Sequence, residues 1–190
     1  MTSIPQEKSY SLADALSWPE DRRMELIDGQ PVMMAPPSRE HQRISGALFA
    51  QIHNFLQGKP CQVYAAPFAV RPFETEDDAA EEVNTMVEPD ISVICDRKKL
   101  DDIGCKGAPD LVVEILSDST RRHDRIVKYN LYQRAGIREY WIVDPDRHTV
   151  QVYVLEEGKY NAADAYTSSA SVPVSVLPGC VIDLQRVFIE

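Results

Sequence analysis

The chain has 190 residues, 44% hydrophobic and 26% charged, an ordinary composition for one soluble globular domain with a sizeable core. A net charge of −10 argues against indiscriminate binding to polyanions, while leaving room for a local basic groove. The start, MTSIPQEKSYSLADAL, lacks the basic and apolar regions of a secretory signal, and no apolar run approaches the ~20 residues that cross a bilayer. Cys61, Cys95, Cys105 and Cys180 show no zinc-ligand spacing and read as reduced thiols of a cytoplasmic protein.

SLADALSWPE reads as a short helix, capped by Ser11 and ended by Pro19. In RMELIDGQPVMM, Asp28–Gly29 turns a hairpin between Met24–Ile27 and Val32–Met34. A helix follows from about Arg39 to Gln57, its buried face marked by Ile44, Ala47, Leu48, Gln51, Ile52 and Phe55 and its end by Gly58. CQVYAAPFAVRP is expected to be one strand, and ETEDDAAEEVNT a solvated acidic loop. Two strands come next, Pro89–Cys95 and Asp110–Leu116, joined by the polar DRKKLDDIGCKGA with some helical character. RHDRIVKYNLYQRAG is a helix closed by Gly136, with Val127, Leu131 and Ala135 forming one stripe. REYWIVDPD is apolar on both faces, as a central strand is, while HTVQVYVL alternates like a half-exposed one. The tail, GKYNAADAYTSSASVPVSVLPGCVIDL, reads as short strands and turns. The whole is a mixed α/β domain over 1–190: a helix and hairpin to residue 35, a core over about 36–155, and a β extension over 156–190.

Glu114 lies inside the apolar run LVVEIL, where a carboxylate costs several kcal/mol unless it is paired or coordinates a metal. Asp90 opens another apolar strand in VEPDISVIC, and 23 intervening residues are enough to make the two strands neighbours. Neighbouring strands stand ~4.8 Å apart, so two inward carboxylates there can share one cation. Magnesium suits such a pair, because it takes oxygen ligands and keeps part of its water. Asp110 sits four residues before Glu114, about 13 Å along a strand, and reads as a strand-entry residue. The alternative for Asp90 is a plain hydrogen-bond acceptor at a strand start.

Taken in order, MELIDGQPVMMAPPSREHQRIS, VEPDISVIC, GAPDLVVEILSDST and RRHDRIVKYNLYQRAGIREYWIVDPDRHTVQVYVL resemble the Uma family of restriction-endonuclease-like proteins, within the PD-(D/E)XK nuclease superfamily. The similarity spans about Glu25 to Leu184. It implies a restriction-endonuclease-like mixed β-sheet flanked by helices, here with extra β-hairpins at both termini. It also implies a magnesium- or manganese-dependent DNA endonuclease, with Asp90 and Glu114 as catalytic metal ligands and the backbone carbonyl of Ile115 as a third. One position departs from the pattern: the superfamily lysine two residues after Glu114 is Leu116. Lys128 is the candidate replacement, supported by Tyr132 one turn on, as in superfamily members that carry this lysine on the following helix. The alternative pairs Lys128 with Asp124 on a solvated helix face. Glu25 and His41, the latter beside Glu40, match softer polar positions of the family, with caps, turns or surface as their alternatives.

Arg121, Arg122 and Arg125 form the dense basic cluster and are candidates for phosphate contact, against a solvated helix start. His53 reads as surface, and Tyr140–Trp141 as core rather than a base-stacking platform. DNA is the expected partner, with no membrane and no organic cofactor. A homodimer is expected, because two symmetric sites suit a two-fold symmetric duplex and the tail from Tyr153 to Leu184 offers strand edges. The competing function is a catalytically weak or inactive nuclease-fold module that binds nucleic acid or a protein partner.

Overall fold

The computed structural model describes residues 8–19, 23–161 and 164–189. Helix α1, Leu12–Ala15, starts at a Ser11 cap whose hydroxyl accepts from the Asp14 amide, while Asp14 returns a bond to the Ser11 amide. Strands β1, Met24–Ile27, and β2, Gln30–Met33, form the expected antiparallel hairpin. Helix α2, Arg39–Leu56, is capped by the Ser38 hydroxyl and buries Ile44, Leu48, Ile52 and Leu56, one residue per turn on one face.

The expected strand over CQVYAAPFAVRP is two strands, β3 (Gln62–Ala65) and β4 (Ala69–Arg71), separated by a turn through the cis Ala66–Pro67 bond. β5 spans Ile91–Ile94. The polar connection after it carries a 3₁₀ turn, Arg97–Lys99, and a strand, β6 (Gly104–Lys106), that pairs parallel with β4. Gly104 is required there: a Cβ at this residue would lie 2.1 Å from the Ala69 carbonyl oxygen. β7 is Leu111–Ile115, β8 Glu139–Asp144 and β9 Thr149–Glu156. A right-handed segment links β7 to β8, beginning with a π-helical turn at His123–Lys128 and continuing as α3, Tyr129–Ala135, to a left-handed Gly136. The tail adds β10 (Lys159–Tyr160), β11 (Asp164–Thr167), β12 (Ser171–Pro173) and β13 (Val181–Asp183). It ends in a helix absent from the sequence expectation, α4, Leu184–Phe188.

The main sheet runs β10–β9–β8–β7–β5–β3, with β11 also on β9. Only β7 and β8 are parallel, as the helical crossover between them requires; every other pair in this sheet is antiparallel. One sheet face packs on α2, α4 and the β12–β13 hairpin through Leu111, Val113, Ile115, Trp141 and Val143. The opposite face packs on β1 and α3 through Val112, Leu116, Tyr140, Ile142 and Leu131. Tyr140 and Trp141 are core on both counts.

Two sequence expectations need correction. Cys61 and Cys95 are disulfide-bonded, since the β3–β5 register sets them directly opposite, while Cys105 and Cys180 are free and buried. The stripe on the crossover is also displaced: Val127 is 40% exposed, and the inward positions are Asp124, Lys128, Leu131 and Tyr132.

Candidate active site

Glu114 points from β7 toward α3, on the face it shares with Val112 and Leu116. Its Oε1 accepts from Lys128 Nζ at 2.8 Å and from the Tyr132 hydroxyl at 2.5 Å. Lys128 Nζ also lies 2.9 Å from Oε1 of Glu25 on β1 and 4.0 Å from Oδ1 of Asp124. All of these side chains are buried, so the solvated Lys128–Asp124 pair is replaced by one cation among three carboxylates in the interior. Glu25 is fixed in turn by the Glu88 amide.

Asp90 precedes β5, and its Oδ2 accepts from the Ile115 amide at 2.7 Å and meets His41 Nε2 at 3.1 Å. The N–H and C=O of a strand residue point to the same side. Ile115 therefore aims its carbonyl where its N–H goes, toward Asp90, beyond the end of β5. Leu116 is buried in apolar packing and takes no part in the polar cluster.

Burial pushes the Glu114 carboxyl well above its usual range; Lys128 pulls it down, while Asp124, Asp90 and Glu25 add to the rise. Burial opposes the charge on Lys128, but Glu114, Glu25 and Asp124 outweigh it and hold the ammonium well above its ordinary range. Burial raises Asp124 and Tyr132 as well, the phenol being kept protonated beside the Glu114 charge. For His41, burial favours the neutral ring, yet the Asp90 carboxylate prevails and raises it.

Glu25, His41, Asp90, Glu114, Asp124 and Lys128 line a cleft of about 560 Å³, walled by the chain after β2, the start of α2 and the loop after β7. Two buried ring nitrogens in its walls, His41 Nδ1 and His123 Nε2, have no hydrogen-bond partner among the described residues. Of the other candidates, Arg121 bonds Asp144 at 2.6 Å and also pairs with Asp146, and Arg125 bonds Gln151 and Asp144. Both are engaged with β8, β9 and the turn between them; Arg122 is exposed. His53 is exposed, and Asp110 receives the Cys95 amide and Arg138, as a strand-entry residue does.

Asp124 was missed as a member of the cluster. Its signal was present in the spacing of Asp124, Lys128 and Tyr132 at four-residue intervals, which marks one helix face.

Among the described residues, no group of three or more histidine, cysteine, aspartate or glutamate side chains is arranged to hold a metal ion. The donor chemistry nevertheless fits magnesium. The contacts above engage one oxygen of Asp90 and one of Glu114, leaving the second oxygen of each, with the Ile115 carbonyl nearby.

Comparison with known proteins agrees with the fold. A crystal structure titled a putative nuclease belonging to DUF820, from Anabaena variabilis, superposes with a TM-score of 0.73 at 21% identity, covering 94% of this chain and 97% of that one. At that identity the likeness establishes the fold. The uncharacterized protein slr1290 of Synechocystis sp. is 30% identical over 141 residues, spanning 73% of this chain and 70% of its own length. A family model, Uma2, described as "Putative restriction endonuclease", matches residues 12–185, and the chain belongs to that family.

Proposed function

We propose that the protein is a metal-dependent endonuclease that hydrolyses phosphodiester bonds in DNA. The observation that carries this reading is the delivery of the Lys128 ammonium from the crossover helix to Glu114, beside Asp90 and in the absence of the strand lysine. Asp90, Glu114 and the Ile115 carbonyl would hold magnesium or manganese. The ion would polarise the scissile phosphate and acidify an attacking water. Lys128 orients that water or offsets the charge that grows on phosphorus as the new P–O bond forms and the old one breaks. Tyr132 and Glu25 hold the ammonium and Glu114 in register, and His41 fixes the Asp90 carboxylate.

A second reading, a nuclease-fold binding module without catalysis, draws on Leu116 and on the neutralisation of Lys128 by its own carboxylates. Plasmid cleavage by the purified protein under magnesium and manganese titration separates the two. Cleavage that disappears in Glu114→Gln and Asp90→Asn, with folding retained, is the expected result. Metal binding with no cleavage of any DNA form, or wild-type cleavage by either variant, would overturn the nuclease assignment.

A further inference from the structure

Acidic residues are unevenly spread along the chain. It holds 30 Asp and Glu in 190 residues, yet from His41 to Phe73 there is none. That span covers α2 beyond its first turn, β3 and β4. β3 is the last strand of the main sheet, and α2 lies against it. The cleft opens at one end of this helix–strand pair, with His41 and Gln42 on α2 and Ala66 just past β3. At the other end is a second pocket, of about 330 Å³, which gathers His53, Gln57 and Lys59 beside β3 with Arg97 from the 3₁₀ turn after β5.

No Asp or Glu is among the described residues that line this pocket. Lys59 rests over the Phe55 ring at 4.3 Å, and Arg97 donates its Nε to the Pro60 carbonyl at 3.2 Å. Complementing the C-terminal dipole of α2 accounts for His53 and Lys59, but not for Arg97, which arrives from another element. Between the two pockets, Gln42, Gly46, Phe49 and His53 follow one face of α2 at four- and three-residue spacing. Gln42, Gly46 and His53 are exposed, and a Cβ at Gly46 would meet nothing within 4 Å, so this face is open.

The cleft cannot supply a grip on a polyanion by itself. Its lining is rich in carboxylates, Arg23 is held by Glu88, and Lys128 by Glu25 and Glu114. Arg121 and Arg125 are held by Asp144. Backbone binding needs cations that can neutralise phosphates, and the second pocket offers them. His41 and His53 are 12 residues apart, about 18 Å of helix. A duplex strand carries one phosphate per ~3.4 Å of axis, so the interval is about five nucleotides.

We infer that the α2–β3 side is the track of the DNA backbone, with Lys59 and Arg97 holding a phosphate about five nucleotides from the one in the cleft. The inference deepens the nuclease reading, on which it rests for the identity of the ligand.

The test uses the full chain and a fluorescein-labelled duplex long enough to span both sites, with binding read by anisotropy in calcium over a sodium chloride series. The double variant Lys59→Gln/Arg97→Gln should bind about tenfold more weakly than wild type. Its slope of log affinity against log salt should be shallower by about two, one for each lost phosphate contact. Both residues are exposed, so the fold is retained, which circular dichroism checks. Lys159→Gln removes an exposed charge from β10, at the opposite edge of the sheet, and should leave affinity and slope at wild-type values. An unchanged slope in the double variant, an equal loss in Lys159→Gln, or no binding by wild type would overturn the inference. Cleavage is then followed after exchange into manganese. Binding that depends on Lys59 and Arg97 without cleavage would support the track and refute the nuclease reading; cleavage with an unchanged slope would do the reverse.

Discussion

The two faces of β7 carry opposite solutions to burial. Toward α2 the strand itself presents only Leu111, Val113 and Ile115, which meet Ile44, Leu48 and Trp141, and the buried carboxylate on that side of the sheet, Glu139 on β8, is held by the Trp141 ring N–H and the Val176 amide. Toward α3 it presents Val112, Glu114 and Leu116, and the charge between the two apolar residues is met by Lys128 and Tyr132. The first face is stabilised by apolar area and close packing, which tolerate substitution in proportion to the volume lost. The second depends on a balance in which one ammonium serves three carboxylates, so removing a single member leaves the others uncompensated. The polar face is therefore the more brittle of the two, and the proposed chemistry uses it.

The sharpest way to break this contrast is Lys128→Ala. It strands Glu25, Glu114 and Asp124 in the interior, at about 3–5 kcal/mol of stability by urea denaturation. Under the nuclease reading the folded fraction also loses about 10²–10³ in cleavage rate. A stability loss below about 0.5 kcal/mol would return Lys128 to the surface pair with Asp124. On the apolar face, Leu48→Ala should cost about 2–5 kcal/mol, while the folded fraction cleaves at the wild-type rate.

The smallest effect belongs to Asp144, which holds Arg121 and Arg125 behind the cleft. Burial works against this carboxylate, but the Arg121 hydrogen bond prevails and sets it below its ordinary 3.8. A depressed folded value means stability gained above the unfolded value and lost as pH falls through the folded one. Asp144→Asn should therefore cost about 1–3 kcal/mol at neutral pH, with the gap to wild type closing in acid. A gap that is constant with pH would show that Asp144 acts through shape rather than charge.

Some of this was legible in the sequence, for identifiable reasons. Asp90 and Glu114 stand out because one opens and the other interrupts an apolar strand, and strands of that length and separation pair. The α2 face and the Asp28–Gly29 turn are carried by local periodicity and turn chemistry. The crossover departs from its sequence expectation because hydrophobic spacing at Val127, Leu131 and Ala135 supposes a regular α-helix whose buried face is apolar. Here the first turn is π-helical and its inward residues are charged, neutralised by partners on β1 and β7 that no local window contains. The β4–β6 pair was equally hidden, being two three-residue strands whose association depends on Gly104 admitting the Ala69 backbone. The Cys61–Cys95 bond follows from strand register, which becomes visible only once β3 and β5 are aligned.

The ion-pair cluster also sets an order of events in folding. Its members come from β1, β7 and the crossover, so Glu25 must wait for Lys128 across most of the chain between them. Local pieces such as the β1–β2 hairpin and α2 can form early, because their contacts close short loops. The Glu25–Lys128 contact closes a long one, whose entropy opposes it until the sheet between is in place. A chain still emerging during synthesis thus has both carboxylate-bearing strands before it has the ammonium that completes the cluster. Whatever this cleft does to nucleic acid is deferred until the sheet has assembled around it.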